Sequence, residues 1–528
     1  MKYIDFQAVS FQFPFRKKKF TSIISACLLS VCFVLAAAAN DDIKRIEPDN
    51  PKQLIKQAEK LTRKGNFKEA EKILRGVVER NPKNSKSKIA LAYVLLKQRH
   101  LIEAYDFSVE IVRREPKNSY AFAVLGATLL NAGNFRDAKT SFINSLKLSN
   151  QEALAWSGLG MLEFYENRIS QGLDYLREAV FLEPEEPDFI YSLAQVAARD
   201  ERYIEAAEAY RIFLRISPHT DTERRERIKG LINFLRYLGN QRSLYDLGGA
   251  DGTVVSFKLV NDRPVIQIRL HKSGEPLNFV LDTGSGISVI SDETAQRLKI
   301  KPITRGGLAR GIGGDGKFEI VYGFLPSIFI GDVKIKNVPI YIRKFHSQNE
   351  RIDGYIGLSL ISKFLTTIDY GDLTFTLTNN EEAARRGPVG AKNLSLPLRL
   401  TSSGFLSGEV NLEGVGVPLN FIVDTGASVS VISDVLASSK EISPFIKAET
   451  MRVVGAAGVT ENVPSFTLPR ISFGSHSRQS ITAISLDLNL INETSGFEQA
   501  GILGGNFLKN YRLTFDFPNS QVVFVPVK

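Results

Sequence analysis

The triplet Asp-Thr-Gly occurs twice in nearly the same setting, as PLNFVLDTGSGISVIS around Asp282 and PLNFIVDTGASVSVIS around Asp424. Two carboxylates facing each other across a pseudo-twofold axis, about 3 Å apart, cannot both ionise, so they share a proton. One then takes a proton from water while the other gives one to a carbonyl oxygen. A single Asp-Thr-Gly is a common tight turn, because Asp caps and Gly reverses the chain. Two copies, each closing an apolar run and opening a small-residue turn, point to water-activating hydrolysis with Asp282 and Asp424 as the catalytic pair.

The neighbours suit that chemistry. Gly284 and Gly426 let the backbone pass close and aim N–H groups at the carboxylates. Ser285 is expected to donate to the outer oxygen of Asp282, which Ala427 cannot do for Asp424, so the two halves are unequal. Other chemistries lack their residues. The five histidines, His100, His219, His271, His346 and His476, have no ligand spacing, so no metal site is expected. Gly311-Ile312-Gly313-Gly314 has the spacing of neither nucleotide fingerprint, and no cofactor is expected.

Elements must bring the aspartates together, and a duplication supplies them. Past Gly248-Gly249 the chain changes to short Val/Ile/Phe/Leu runs broken by Gly, Asp and Asn, the pattern of all-β folds. Pro276-Leu277-Asn278-Phe279 matches Pro418-Leu419-Asn420-Phe421 at an offset of 142, as do the aspartates. Gly354-Tyr355-Ile356-Gly357 matches Gly501-Ile502-Leu503-Gly504, and Asp369-Tyr370 matches Asp516-Phe517, both at 147. Two lobes follow, over 250–378 and 394–528, joined by the polar stretch 379–393. About thirty residues after each triplet lies a glycine-rich hairpin candidate, with Gly311, Gly313 and Gly314 in lobe one and Gly455 and Gly458 in lobe two. Positive φ at such glycines allows a tip that closes over a substrate.

Over roughly 250–528 the lobes resemble the retropepsin-type branch of the aspartic proteases, in a two-lobed single chain like the pepsins. Gly504-Gly505-Asn506 is close to the retroviral form of the late glycine element, whereas Gly357-Leu358-Ser359 departs from it. The resemblance implies an aspartic endopeptidase acting on protein or peptide substrates, with glycine-rich flaps over the cleft. It also implies that Thr283 and Thr425 hydrogen-bond across the lobe interface and hold the two turns in register.

Ahead of the lobes, residues 51–240 show a 34-residue period. Pro82, Pro116, Pro184 and Pro218 lie on one grid, with Asn150 at the remaining position. Twelve residues earlier stand Ala70, Ala104, Ala138, Gly172 and Ala206, and twelve earlier again Ala58, Ala92, Gly126, Gly160 and Ala194. Phe67, Leu101, Phe135, Ile169 and Tyr203 supply a bulky position between the two series. Small residues let antiparallel helices approach, the bulky one fills the gap at their turn, and proline ends the second helix. The pattern resembles the tetratricopeptide repeat, an all-α solenoid that offers a concave groove to a protein or peptide partner. Five repeats are expected, with 221–240 as a capping helix that turns a polar face outward.

The net charge of +10 is partly local, since Lys2, Arg16, Lys17, Lys18 and Lys19 face only Asp5 within residues 1–39. No basic stripe marks a nucleic-acid face. Arg16–Lys19 precede an apolar run over 20–39 that ends Ala37-Ala38-Ala39, which reads as an export signal or, uncleaved, a membrane anchor, followed by a linker over 40–50. The body is then periplasmic or extracellular, and Cys27 and Cys32 both fall inside the leader, leaving the rest without cysteine. Two alternatives stay open at this point: lobes that pair with twin lobes of a second chain, and a non-catalytic scaffold that only binds peptides.

Overall fold

The computed structural model describes residues 50–219, 221–241, 243–346, 351–386 and 394–527. The expected leader over 1–39 and most of the linker after it lie outside these residues. No helix among the described residues is long and apolar enough to cross a membrane.

The repeat grid becomes helix pairs in phase with the sequence. Pro51–Arg63, Ser85–Lys97, Ser119–Asn131, Ala153–Tyr165 and Pro187–Arg199 start 34 residues apart, and their partners Phe67–Arg80, Leu101–Arg114, Phe135–Leu148, Ile169–Leu182 and Tyr203–Ile216 keep that interval. The small-residue columns lie where the two helices of a pair cross, and Ala58, Ala70, Ala92, Ala104, Ala194 and Ala206 are fully buried. Asn84 and Asn118 start their helices by accepting from Ser87 N at 3.1 Å and Ala121 N at 3.0 Å.

The helix Thr222–Gly239 departs from a simple terminal cap. Its face with Glu226, Lys229 and Arg236 is exposed, but two other faces are buried. Ile228, Ile232 and Leu235 join the core of the repeats, while Phe234 and Leu238 join the core of the lobes. Phe234 stacks on Tyr322 of lobe one at 4.4 Å between ring centroids.

Each lobe is a β-unit built on the same plan. In lobe one Leu277–Leu281 runs parallel to Gly354–Ile356, which pairs antiparallel with Ser288–Ser291. In lobe two Leu419–Val423, Gly501–Leu503 and Ser430–Ser433 repeat the arrangement. Lobe one begins with Asp246–Gly249 paired to Val333–Arg343, so its first strand precedes the composition change at 250. A sheet of six strands ties the halves together, in the order Ser395–Pro397, Gln521–Pro526, Tyr511–Asp516, Phe364–Asp369, Thr374–Asn379 and Gly252–Ser256. Its central seam is the inter-lobe pairing of Thr366 with Phe515 through Asp369 with Arg512. The stretch expected as a plain connector is helical over Asn380–Arg386, and the remainder of it, 387–393, lies outside the described residues.

Candidate active site

Asp282 and Asp424 each follow the last residue of an apolar strand, and each backbone N–H is pinned to the inserted third strand. Asp282 N donates to Ile356 O at 2.9 Å and Asp424 N to Leu503 O at 3.0 Å. The turns interlock. Thr283 Oγ1 donates to Val423 O and Thr425 Oγ1 to Leu281 O, both at 2.7 Å, while each hydroxyl accepts the other threonine's N–H at 3.1 Å. Both threonines are fully buried. Each hydroxyl thus both donates and accepts across the interface, which fixes the aspartates relative to each other.

The carboxyls hydrogen-bond to each other. Glycine is required beside them because of the packing. A Cβ at Gly284 would lie 2.3 Å from Asp424 Oδ2, and one at Gly426 would lie 2.6 Å from Asp282 Oδ1. The same glycines donate, Gly284 N to Asp282 Oδ1 at 2.9 Å and Gly426 N to Asp424 Oδ1 at 2.8 Å.

Symmetry breaks in one respect, and in the opposite sense to that expected. Ser285 Oγ donates to Ile287 O, within its own turn, at 2.9 Å instead of to Asp282. Ala427, through its backbone, donates to Asp424 Oδ1 at 3.1 Å, and Gly284 N also reaches Asp424 across the interface. Asp424 thus receives more hydrogen bonds than Asp282. The residues are open only towards the cleft, and the dense protein around them strips most water. That burial, reinforced by the charge and hydrogen bond of Asp424, holds Asp282 well above the usual carboxylate range. Burial raises Asp424 as well, but its hydrogen bonds from Asp282 and from the Gly426, Ala427 and Gly284 N–H groups pull it back. The shared proton thus belongs mainly to Asp282.

The two glycine-rich turns join hairpins, Thr304–Arg310 with Lys317–Ile330 and Ile446–Val454 with Val459–Leu468. Their tips meet. Ala457 N donates to Ile312 O at 2.9 Å, and Gly313, at φ +91°, leaves no room for a side chain, since a Cβ there would lie 2.2 Å from Gly458 O. Gly314 and Gly458 also have positive φ, whereas Gly311 and Gly455 serve close packing, with a Cβ at Gly455 falling 2.2 Å from Ile312 O. Gly311 N closes the first tip on Gly316 O at 3.0 Å.

Residues 266–360 and 408–507 both match the aspartyl protease family profile. The lobes are aspartyl-protease-like. Residues 158–219 match the tetratricopeptide repeat profile. Solved structures similar to the repeat array include TTC0263, a thermophilic TPR protein of Thermus thermophilus, at 18% identity over 35% of this chain and 99% of that one, with a TM-score of 0.31. Pseudomonas aeruginosa pilF matches at 16% identity over 36% and 86%, TM-score 0.28, and MamA from Desulfovibrio magneticus at 19% over 31% and 94%, TM-score 0.24. No curated protein matches the chain.

Two residues of the aspartyl-protease-like unit carry no mark in the sequence. Arg343, at the end of its strand, lies near enough to Asp282 for their charges to interact and donates to Ala456 O of the second hairpin at 3.2 Å. Phe318, Phe345 and Tyr355 surround it, and burial lowers its proton affinity. Asp353, almost fully buried, accepts from Asn278 N, Thr294 Oγ1 and Arg297 Nη2 at 2.8–2.9 Å and braces lobe one only, since Ala500 stands at the matching place in lobe two. No motif or repeat in the sequence singled out either position.

Proposed function

We propose that this chain is an aspartic endopeptidase that completes its catalytic pair within one polypeptide. The observation that carries the reading is the hydrogen-bonded Asp282–Asp424 pair locked by reciprocal threonine bonds at the floor of a cleft. Ionised Asp424 takes a proton from water as the oxygen attacks the peptide carbon, and Asp282 gives its proton to the carbonyl oxygen. The tetrahedral diol then collapses. Asp424 passes its proton to the leaving nitrogen, the C–N bond breaks, and a diol hydroxyl returns a proton to Asp282, which restores the pair. No cofactor enters this scheme.

The inter-lobe strand pairing and the cross-lobe threonines support pairing within the chain over pairing with twin lobes of a second molecule. The purified chain without residues 1–39 should cleave an unfolded protein, with a statine-type inhibitor blocking the reaction. Asp282→Asn and Asp424→Asn should each lower it by about 10²–10⁴-fold. Inertness of the unmodified chain at acidic and neutral pH would favour a peptide-binding scaffold. We also read the chain as exported through its apolar leader, and N-terminal sequencing of the mature protein tests removal after Ala39 against retention as an anchor.

A further inference from the structure

The catalytic cleft does not end at the lobes. A single cavity of about 1980 Å³ runs from Asp282 and Asp424 up to the concave face of the repeats, where Tyr93, Met161 and Tyr191 line it. Eleven lysines and arginines border this cavity against seven acidic residues, two of which are the catalytic pair. The remaining acids are mostly engaged. Asp188 pairs with Lys97, Glu201 with Lys363, Glu223 with Lys317 and Arg310, and Asp221 caps the helix Thr222–Gly239, leaving Glu493 as the exception.

On the basic side Arg99, Arg310 and Arg452 are paired with Glu498, Glu223 and Glu461, but three further arginines lack a bonded carboxylate. Among the described residues Arg199, the last residue of Pro187–Arg199, has no hydrogen bond or ion pair, although burial lowers its proton affinity. Arg224 Cζ lies over Tyr191, 4.1 Å from the ring centroid, and 5.0 Å from that of Phe213, with its guanidinium hydrogens unbonded among the described residues. Arg343 beside Asp282 donates only to carbonyls, those of Ala456 and Lys344. A guanidinium with no carboxylate bonded to it keeps its fork free, and packing against an aromatic face holds that fork open for a bidentate anion. Arg199 and Arg224 on the repeat array and Arg343 on lobe one thus present three such forks along the cavity, with the charges of Glu201, Asp188 and Asp282 in range of them but no carboxylate bonded to them among the described residues.

We infer that the substrate is an extended polypeptide bearing acidic side chains, whose carboxylates pair with Arg199 and Arg224 on the repeat array while the bond to be cut lies at the aspartate pair. This deepens the endopeptidase reading and rests on it for the cleavage step, but the binding step can be measured separately. Arg343 offers a third contact close to the reacting carbonyl. Its link to the second hairpin couples that contact to closure.

The test uses the full exported chain carrying Asp282→Asn and a fluorescein-labelled peptide with a glutamate-rich arm, against a copy with glutamine at each glutamate. The glutamate peptide should bind on the order of tenfold more tightly per engaged arginine, and added salt should shrink the advantage. The double variant Arg199→Gln/Arg224→Gln should lose most of the preference for the glutamate peptide and keep at most the part that Arg343 supplies, while the two peptides on the chain with both arginines already decide the matter should that variant not fold. Equal binding of the two peptides, or an advantage unchanged in a folded double variant, overturns the inference. So does stronger competition by a single-stranded oligonucleotide than by the glutamate peptide. With the active chain, selective binding without cleavage sinks the endopeptidase reading alone, and equal cleavage of both peptides sinks this one alone.

Discussion

At the residue scale, the shared proton gives the catalytic pair a stability signature as well as a pH profile. Asp282 binds its proton more tightly in the folded chain than at the unfolded carboxylate value of about 3.9. The folded state therefore holds more protons just above that pH, and the pair's contribution to stability is full below it and fades as pH rises towards the folded value. Asp282→Asn removes the penalty. We expect its melting temperature at neutral pH to exceed that of the parent, with the two curves converging in acid, whereas curves parallel from about pH 4 to 7 would contradict the assignment. The same variant should lose activity by about 10²–10⁴-fold. In the parent, activity should fall on the alkaline side as Asp282 gives up its proton and on the acid side as Asp424 gains one, although both limbs report the coupled pair. Gly284→Ala probes the packing, because a methyl 2.3 Å from Asp424 Oδ2 must displace that carboxyl. A displacement of about 1 Å is worth about a hundredfold in kcat, and retention of full kcat would mean the turn relaxes freely.

At the scale of elements, the cross-lobe threonine bonds and the shared sheet are what make two halves into one site. Thr283→Val keeps the volume, deletes the bond to Val423 O and leaves Thr425 N without its acceptor, while Thr283→Ser keeps both. Urea unfolding should show the valine variant destabilised by about 1–3 kcal/mol, with the serine variant close to the parent. The duplicated strands, the hairpins and the helix pairs were legible because each leaves a local periodic trace. The Pro-Leu-Asn-Phe repeat and the 34-residue grid are statements about neighbours in sequence. What Ser285 donates to was not legible, since the competing Ile287 carbonyl is a matter of turn geometry. Arg343 was hidden for a related reason, as its ring contacts with Phe318 and Tyr355 come from the strands before and after its own and depend on how these pack.

At the scale of the whole molecule, the repeats are packed on both lobes. Phe497 of lobe two is fully buried in the core of the repeats, with ring centroids 4.9 Å from Phe135 and 5.0 Å from Tyr165. Nearby, Asn167 Nδ2 donates to Phe517 O at 3.0 Å, and Arg99 pairs with Glu498. On the other side Arg227 Nη1 donates to Leu308 O at 2.9 Å, close to the turn of the first hairpin. Phe497→Ala should cost about 3–5 kcal/mol and loosen the array from lobe two, seen as faster protease nicking between the repeats and the lobes. An unchanged nicking rate would mean that the remaining contacts hold the array by themselves. This docking was invisible in the sequence, where Phe497 stands in a Ser-Gly-Phe-Glu-Gln run that reads as an ordinary loop.

The joined hairpin tips have a further consequence. With Ile312 and Ala457 bonded over the mouth and the solenoid covering the approach, a folded domain, whose radius of gyration is about 13 Å at a hundred residues, meets a shut door. On the endopeptidase reading, only slack chain would be threaded past it, lengthwise and one strand thick. Victims would thus be chosen first by how loosely they hang and only then by what they are made of, so a well-folded neighbour bathed in the same compartment would go unharmed.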